Sequence, residues 1–163
     1  MKILRSSNGH DVLVDDEDFD YLSKFTWNAH RHKCGVLYAE RGVYIKPKCK
    51  TISMHRVIMN ITDRFVYVDH INGNGLDNRK CNLRICTHAD NVRNRRMHKN
   101  NKSGYKGVTM VNENAFRSRI RVNGVMINTG RHKTAIEAAI AYNEAAIKYF
   151  GEFARLNIIK KTA

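Results

Sequence analysis

Proline is almost absent from this 163-residue sequence: Pro47 stands alone. Cysteines are few and badly spaced for the common roles. Cys34, Cys49, Cys81 and Cys86 form no C-x-x-C pair, which argues against zinc ribbons, redox dithiols and a secreted disulfide framework. Free thiols in a reducing interior are the expectation, with a zinc site on Cys81, Cys86 and nearby histidines left as an alternative. No apolar run approaches the roughly 18 residues of a spanning helix, and the opening MKILRSSNGHD has no apolar signal-peptide core. A cytoplasmic setting without a membrane partner is therefore expected. Acid is also scarce. Asp and Glu number 15 against 29 Lys and Arg, a net charge of +14. A surplus of that size favours a polyanionic partner, nucleic acid first, ahead of an acidic membrane surface or protein.

The hydrophobic content of 42% is enough for a packed core. Ile3-Leu4 and Val12-Leu13-Val14 read as short strands. Asp15 to Phe25 reads as a helix whose clustered acids favour its N-terminus. The segments around Leu37-Tyr38-Ala39 and Val43-Tyr44-Ile45 read as paired strands, and Ile52 to Met59 as a buried element. Further on, Val66 to His70 reads as a strand. Asn72-Gly73 and Asn74-Gly75 supply turns, and Asn82 to Ile85 is a returning strand. Thr87 and Asp90 match a helix-opening capping box.

Asp69 and His70 thus stand where a rigid strand meets an open loop, and Asn91 lies early in the next helix. If that helix packs across the hairpin, Asp69 and Asn91 can share a cation. A carboxylate and an amide oxygen make a hard donor pair suited to Mg²⁺ or Mn²⁺, one ion per site. An imidazole near its ordinary pKa can take a proton from water. Asp69-His70, the Asn-Gly turns, Asn82-Leu83 and Asn91 together resemble the HNH (ββα-metal) nuclease motif over about Met54 to Arg96, with His55-Arg56 as the lead-in. The resemblance is strongest to small homing endonucleases of phages and introns, which carry Asn in place of the last His. It implies His70 as general base, Asp69 and Asn91 as metal ligands, and Asn82 as a loop-holding residue. His10, His30, His32, His88, His98 and His132 are read as ordinary surface or structural histidines.

Between Asn91 and Asn112 there is no acid, and six bases fall there. Residues 97–103 read as a basic linker. Beyond it come strand-like runs at Lys106 to Val111, Ala115 to Val122 and Val125 to Thr129. Thr134 and Glu137 then cap an alanine-rich helix ending at Gly151. Arg117, Arg119 and Arg121 alternate with Phe116, Ile120 and Val122, so one strand face is basic and the other apolar. The apolar face is expected to rest on Ile136, Ala139, Ile140, Tyr142 or Ile147. Gly104-Tyr105-Lys106-Gly107-Val108, Phe116 to Val122, Thr129-Gly130, Glu137-Ala138-Ala139, Ala141-Tyr142, Gly151 and Leu156-Asn157 resemble the AP2 DNA-binding domain. That likeness implies DNA contacts from Lys106, Thr109, Arg119, Arg121, Met126 and Asn128, beside the basic strand residue Arg117. Arg93, Arg95 and Arg96 are expected on phosphates.

The expected architecture is α+β. A ββα-metal nuclease domain with an N-terminal β-rich extension fills 1–96. A three-stranded antiparallel sheet packed on one helix fills 104–157, with a tail at 158–163. The expected function is metal-dependent cleavage of double-stranded DNA by a monomer or a dimer assembled on DNA, in a bacterial or phage-infected cell. A DNA-binding regulator with an inactive nuclease fold is the alternative. A structured-RNA binder is a third reading, disfavoured because side chains cannot enter the A-form major groove.

Overall fold

The computed structural model describes residues 1–94, 97 and 100–159. It is a mixed α and β chain of small antiparallel sheets that falls into two compact units, Met1–Asn91 and Val92–Ala163. Among the described residues no helix is long and apolar enough to cross a membrane.

The first unit opens with a hairpin of β1 (Lys2–Arg5) and β2 (Asp11–Val14), followed by helix α1 (Asp16–Leu22). Leu4, Val12, Val14, Leu22, Trp27, Ala39 and Met54 bury one core. The Trp27 indole donates to the Leu22 carbonyl at 2.9 Å, so the helix ends three residues short of the expected Phe25. β3 (Asn28–Arg31), β4 (Leu37–Ile45) and β5 (Lys48–Ser53) make a three-stranded sheet. Here two expected strands are one. β4 runs unbroken through Glu40-Arg41-Gly42 because these polar residues have partners in the sheet's surroundings. Arg41 lies 3.8 Å over the Phe25 ring, and Glu40 accepts from the Ser53 hydroxyl. The element expected over Ile52 to Met59 divides into the end of β5 and a short helix, α2 (Met54–Ile58).

β6 (Tyr67–His70) and β7 (Leu83–Cys86) pair antiparallel, and α3 (His88–Arg93) follows. The Thr87 and Asp90 cap is formed: the Asp90 amide donates to the Thr87 hydroxyl, and the Thr87 amide donates to the Asp90 carboxylate, both at 3.2 Å. The long loop between β6 and β7 is pinned from outside. The Leu13 amide donates to Leu76, and Asn78 returns a bond to the Leu13 carbonyl. Asp15 accepts from the Lys80 amide, while the Lys80 ammonium pairs with Glu17 and Asp18. The acids at the head of α1 therefore clamp this loop as well as favouring the helix N-terminus. Gly75 passes so close to β4 that a Cβ would stand 2.4 Å from the Leu37 carbonyl and 2.6 Å from the Tyr38 ring.

The second unit is a sheet of β8 (Val108–Asn112), β9 (Ala115–Val122) and β10 (Val125–His132), in the order β10-β9-β8, packed on α4 (Ala135–Phe150). The Thr134 hydroxyl caps α4 by accepting from the Glu137 amide. The buried face of the helix includes the expected Ala139 and Tyr142 but not Ile140 or Ile147. Ala138, Ala139, Tyr142, Ala145, Ala146 and Phe150 meet the sheet, whereas Ile140 and Ile147 face solvent. These positions follow the 3, 4, 7, 8 spacing of one helix face; the isoleucines drew attention by size, but the small alanines let the backbones approach. Asn157 closes the unit by accepting from the Lys106 amide at 2.6 Å and donating to the Lys106 carbonyl at 3.0 Å. Gly107 (φ +76°) has no room for a side chain, since a Cβ would lie 2.0 Å from the Tyr142 ring and 2.9 Å from the Arg119 carbonyl. Gly107→Ala is expected to cost about 2 kcal/mol or more, read as an earlier thermal transition of the full chain.

Candidate active site and nucleic-acid face

Asp69 and His70 end β6, and both are buried. Successive strand residues point to opposite faces, and each has its own surroundings. Asp69 stands opposite Arg84 in the ladder and accepts from its guanidinium at 2.9 Å. His70 turns the other way, into a cluster of rings. The His55 ring centre lies 5.1 Å away and the Tyr38 ring 5.6 Å away. Burial pulls the His70 pKa below its ordinary value, opposed by the hydrogen bond to Asn78 and the charges of Asp69 and Asp77. A neutral imidazole is thereby favoured.

Asn78 is fully buried, and its Oδ1 lies 3.3 Å from His70 Nε2. Its Nδ2 points to the Gly75 carbonyl at 3.5 Å, which directs the amide oxygen at the ring. In that arrangement Nε2 carries the proton and donates, leaving Nδ1 as the basic nitrogen. Asn82 is buried and holds the loop. It accepts from the Asn72 amide at 3.0 Å and donates to the Asp77 carbonyl at 2.7 Å. Asp77, also buried, binds the Arg79 guanidinium through both oxygens and accepts from Asn72. The Arg79 hydrogen bond is the largest cause that holds the Asp77 carboxyl below the usual range.

Asn91 lies on α3, half-buried, with its amide donating to the Thr87 carbonyl. Cys86 ends β7, within reach of the Asn91 backbone amide and of the Asp69 charge. Burial and the charges of Asp69 and Asp90 push its thiol up to about 11, opposed by the backbone amide of Asn91. Cys81 is exposed, and neither cysteine joins a metal-binding group among the described residues.

Arg84, Asn78 and Asp77 carry no motif of their own in the sequence. The signal available was their place in Leu76-Asp77-Asn78-Arg79 and in Leu83-Arg84, beside residues already singled out. His55, in the lead-in, is packed against the base. Burial, then the neighbouring charges of His70, Arg56 and His32, pull it down to about 3, and its Nδ1 is buried without a partner. A histidine held neutral in the fold stabilises fully above its ordinary pKa of 6.5, and that contribution drains as pH falls toward 3. The wild type should lose stability over this window, with on the order of a few kcal/mol from His55. His55→Leu should flatten the acid limb of melting temperature against pH.

The second unit holds 15 Lys and Arg against four Asp and Glu, while the first holds 14 against 11. Most of the surplus charge thus belongs to the unit with the arginine-bearing sheet. Register places Thr109, Arg117 and Arg131 side by side, then Arg119 beside Asn128, then Arg121 beside Met126. Directly paired residues share a face, so these residues line the side away from Ser118 and Ile120, which are buried. Thr109, Arg121, Met126 and Asn128 are exposed; Arg117 and Arg119 are half-buried, and Arg117 Nε is buried without a partner.

Two of the residues expected to contact DNA have partners within the second unit. The Lys106 ammonium turns inward to the Arg93 carbonyl, and burial pulls its pKa down to about 8. Arg93 lies 5.0 Å over the Phe150 ring and reaches Asn123 at 3.4 Å. Arg95 and Arg96 lie outside the described residues.

Compared with known proteins, the chain is 38% identical over 162 residues to an uncharacterized HNH endonuclease of Acanthamoeba polyphaga mimivirus, an alignment covering 96% of this chain and 80% of that one. The chain belongs to the HNH endonuclease family. No protein-family model matches it, and no solved structure gives a significant match. HNH nucleases generally use a divalent metal, and the donor types at Asp69 and Asn91 fit one. They are an ionisable carboxylate and an amide oxygen, hard oxygen donors of the kind such ions take.

Proposed function

We propose that this HNH protein is a homing-type, metal-dependent endonuclease that cuts double-stranded DNA, steered by an AP2-like second unit. The reading rests on one observation above all: a carboxylate and a neutral-leaning imidazole are neighbours at the end of β6, each held by a separate partner, the half-buried Arg84 for Asp69 and the buried Asn78 for His70.

His70 Nδ1 takes a proton from the water that attacks phosphorus, and Asn78 keeps the ring in the tautomer that leaves this nitrogen basic. Asp69 and Asn91 would hold a Mg²⁺ or Mn²⁺ ion, which supplies charge stabilisation for the phosphorane-like transition state and the departing oxygen. Arg84 fixes the direction of the Asp69 carboxylate, and Asn82 holds the loop around it. The arginine-bearing face of β9, with Thr109, Met126 and Asn128, meets the DNA groove, where arginine donates to guanine edges and phosphates. The protein acts as a monomer or as a dimer assembled on DNA.

Supercoiled plasmid incubated with Mg²⁺, Mn²⁺ or EDTA tests this. Nicking or linearisation with the ions and none with EDTA is expected. Tight DNA binding without cutting under any ion would replace the enzyme by a DNA-binding regulator.

A further inference from the structure

His30, His32 and Glu40, none of them among the proposed active-site groups, share one face of the β3-β4-β5 sheet. Alternation puts residues 30 and 32 on the same side, and register places His30 beside Tyr38 and Ser53 beside Glu40. Ala29 and Ala39, on the opposite face, are buried. One ligand atom from each of the three residues lies within 4.8 Å of the others. His32 Nε2 is 3.1 Å from Glu40 Oε1, and His30 Nδ1 is 3.9 Å from Glu40 Oε2. The Glu40 side chain is only 11% exposed. It accepts from the Ser53 hydroxyl at 3.0 Å, and the two imidazole rings lie beside its oxygens. A carboxylate this sheltered gains from a full positive charge nearby. The rings are open to solvent, 71% and 44% exposed, so an ion has a path in.

We propose that His30, His32 and Glu40 form a second metal site that takes a first-row transition ion of the zinc class, with two imidazole nitrogens, one carboxylate oxygen and an open position. Two nitrogens and one oxygen suit Zn²⁺ better than Mg²⁺, which prefers all-oxygen shells. The Ser53 hydroxyl orients the carboxylate, as outer partners of metal ligands commonly do. The ion clasps the end of β3 to β4. It also seats the His32 ring, whose centre is 4.8 Å from Tyr38, itself in contact with His70. The site thus braces the rings packed against the proposed base. It does not depend on the nuclease reading.

Calorimetric titration of the full chain with Zn²⁺ alone, paired with thermal unfolding, tests the site. One zinc ion per chain should bind and raise the melting temperature. Asp69→Asn should bind zinc as the wild type does. His32→Ala and Glu40→Gln should each weaken zinc at least about tenfold and lose the zinc-dependent thermal shift. Glu40→Gln is nearly isosteric, so it carries the test if His32→Ala does not fold. Absence of stoichiometric zinc in the wild type, unchanged affinity in Glu40→Gln, or loss of zinc in Asp69→Asn would each overturn the proposal. Because the readout is zinc and not cleavage, its failure is distinct from a failure of the proposed nuclease activity.

Discussion

His70→Ala should lower single-turnover cleavage of a duplex by about 10²- to 10⁴-fold, the usual worth of a positioned general base, while leaving DNA affinity unchanged. The separation follows from geometry. His70 sits in the first unit among His55, Tyr38 and Asn78, whereas the proposed DNA-reading arginines lie on β9 in the second. The substitution removes a buried ring and leaves Asn78 Oδ1 without it, so some stability will also be lost. His70→Gln keeps more of the volume and a hydrogen-bonding group, and serves as the control: it should fold and bind DNA but cleave as poorly as His70→Ala. Rates near wild type in both variants would remove His70 from the chemistry.

The second large effect concerns binding. Replacing Arg119 and Arg121 together by alanine should weaken affinity for duplex DNA by roughly 10²- to 10³-fold at physiological salt, taking each arginine as worth about 1–3 kcal/mol. Arg117 is excluded from this test because its buried Nε makes its removal a stability experiment as well. If the two arginines touch phosphates, the slope of log affinity against log salt should shrink by about 0.9 for each. If they read base edges, the loss should be greatest on the preferred sequence and the salt slope nearly kept. Cleavage at saturating DNA should change little in either case. Unchanged affinity would move the interface to another face of the sheet.

Local signals in the sequence carried much of this. Asp69 and His70 at a strand end, the return through Leu83 to Cys86 and the Thr87 cap needed only alternation, turn residues and a capping pattern. What escaped was set by tertiary contacts. Glu40-Arg41-Gly42 looks like a break in a strand until Phe25 and Ser53 are there to receive its polar side chains. The buried alanine stripe of α4 is invisible to a search for bulky residues, since close approach to the sheet decides it. Lys106 and Arg93 carry charges that composition assigns to a surface, yet their charged groups meet a carbonyl and an aromatic ring within the second unit. Asn78 was overlooked for a similar reason. Nothing in its neighbours along the chain reveals that Leu13 and Gly75 will enclose it beside His70.

The central claim is that the carboxylate at position 69 and the amide at 91 serve one cation. Simple truncation at 69 is a poor probe, because Arg84 is almost as sheltered as its partner and would be left uncompensated. Asp69→Asn keeps the shape and an oxygen but removes the charge. The most direct measurement is therefore the Mg²⁺ dependence of cleavage on one defined duplex for the wild type, Asp69→Asn and Asn91→Ala. Both variants should need at least about tenfold more Mg²⁺ for half-maximal rate. An identical Mg²⁺ requirement in all three proteins, with cleavage intact, would contradict the claim.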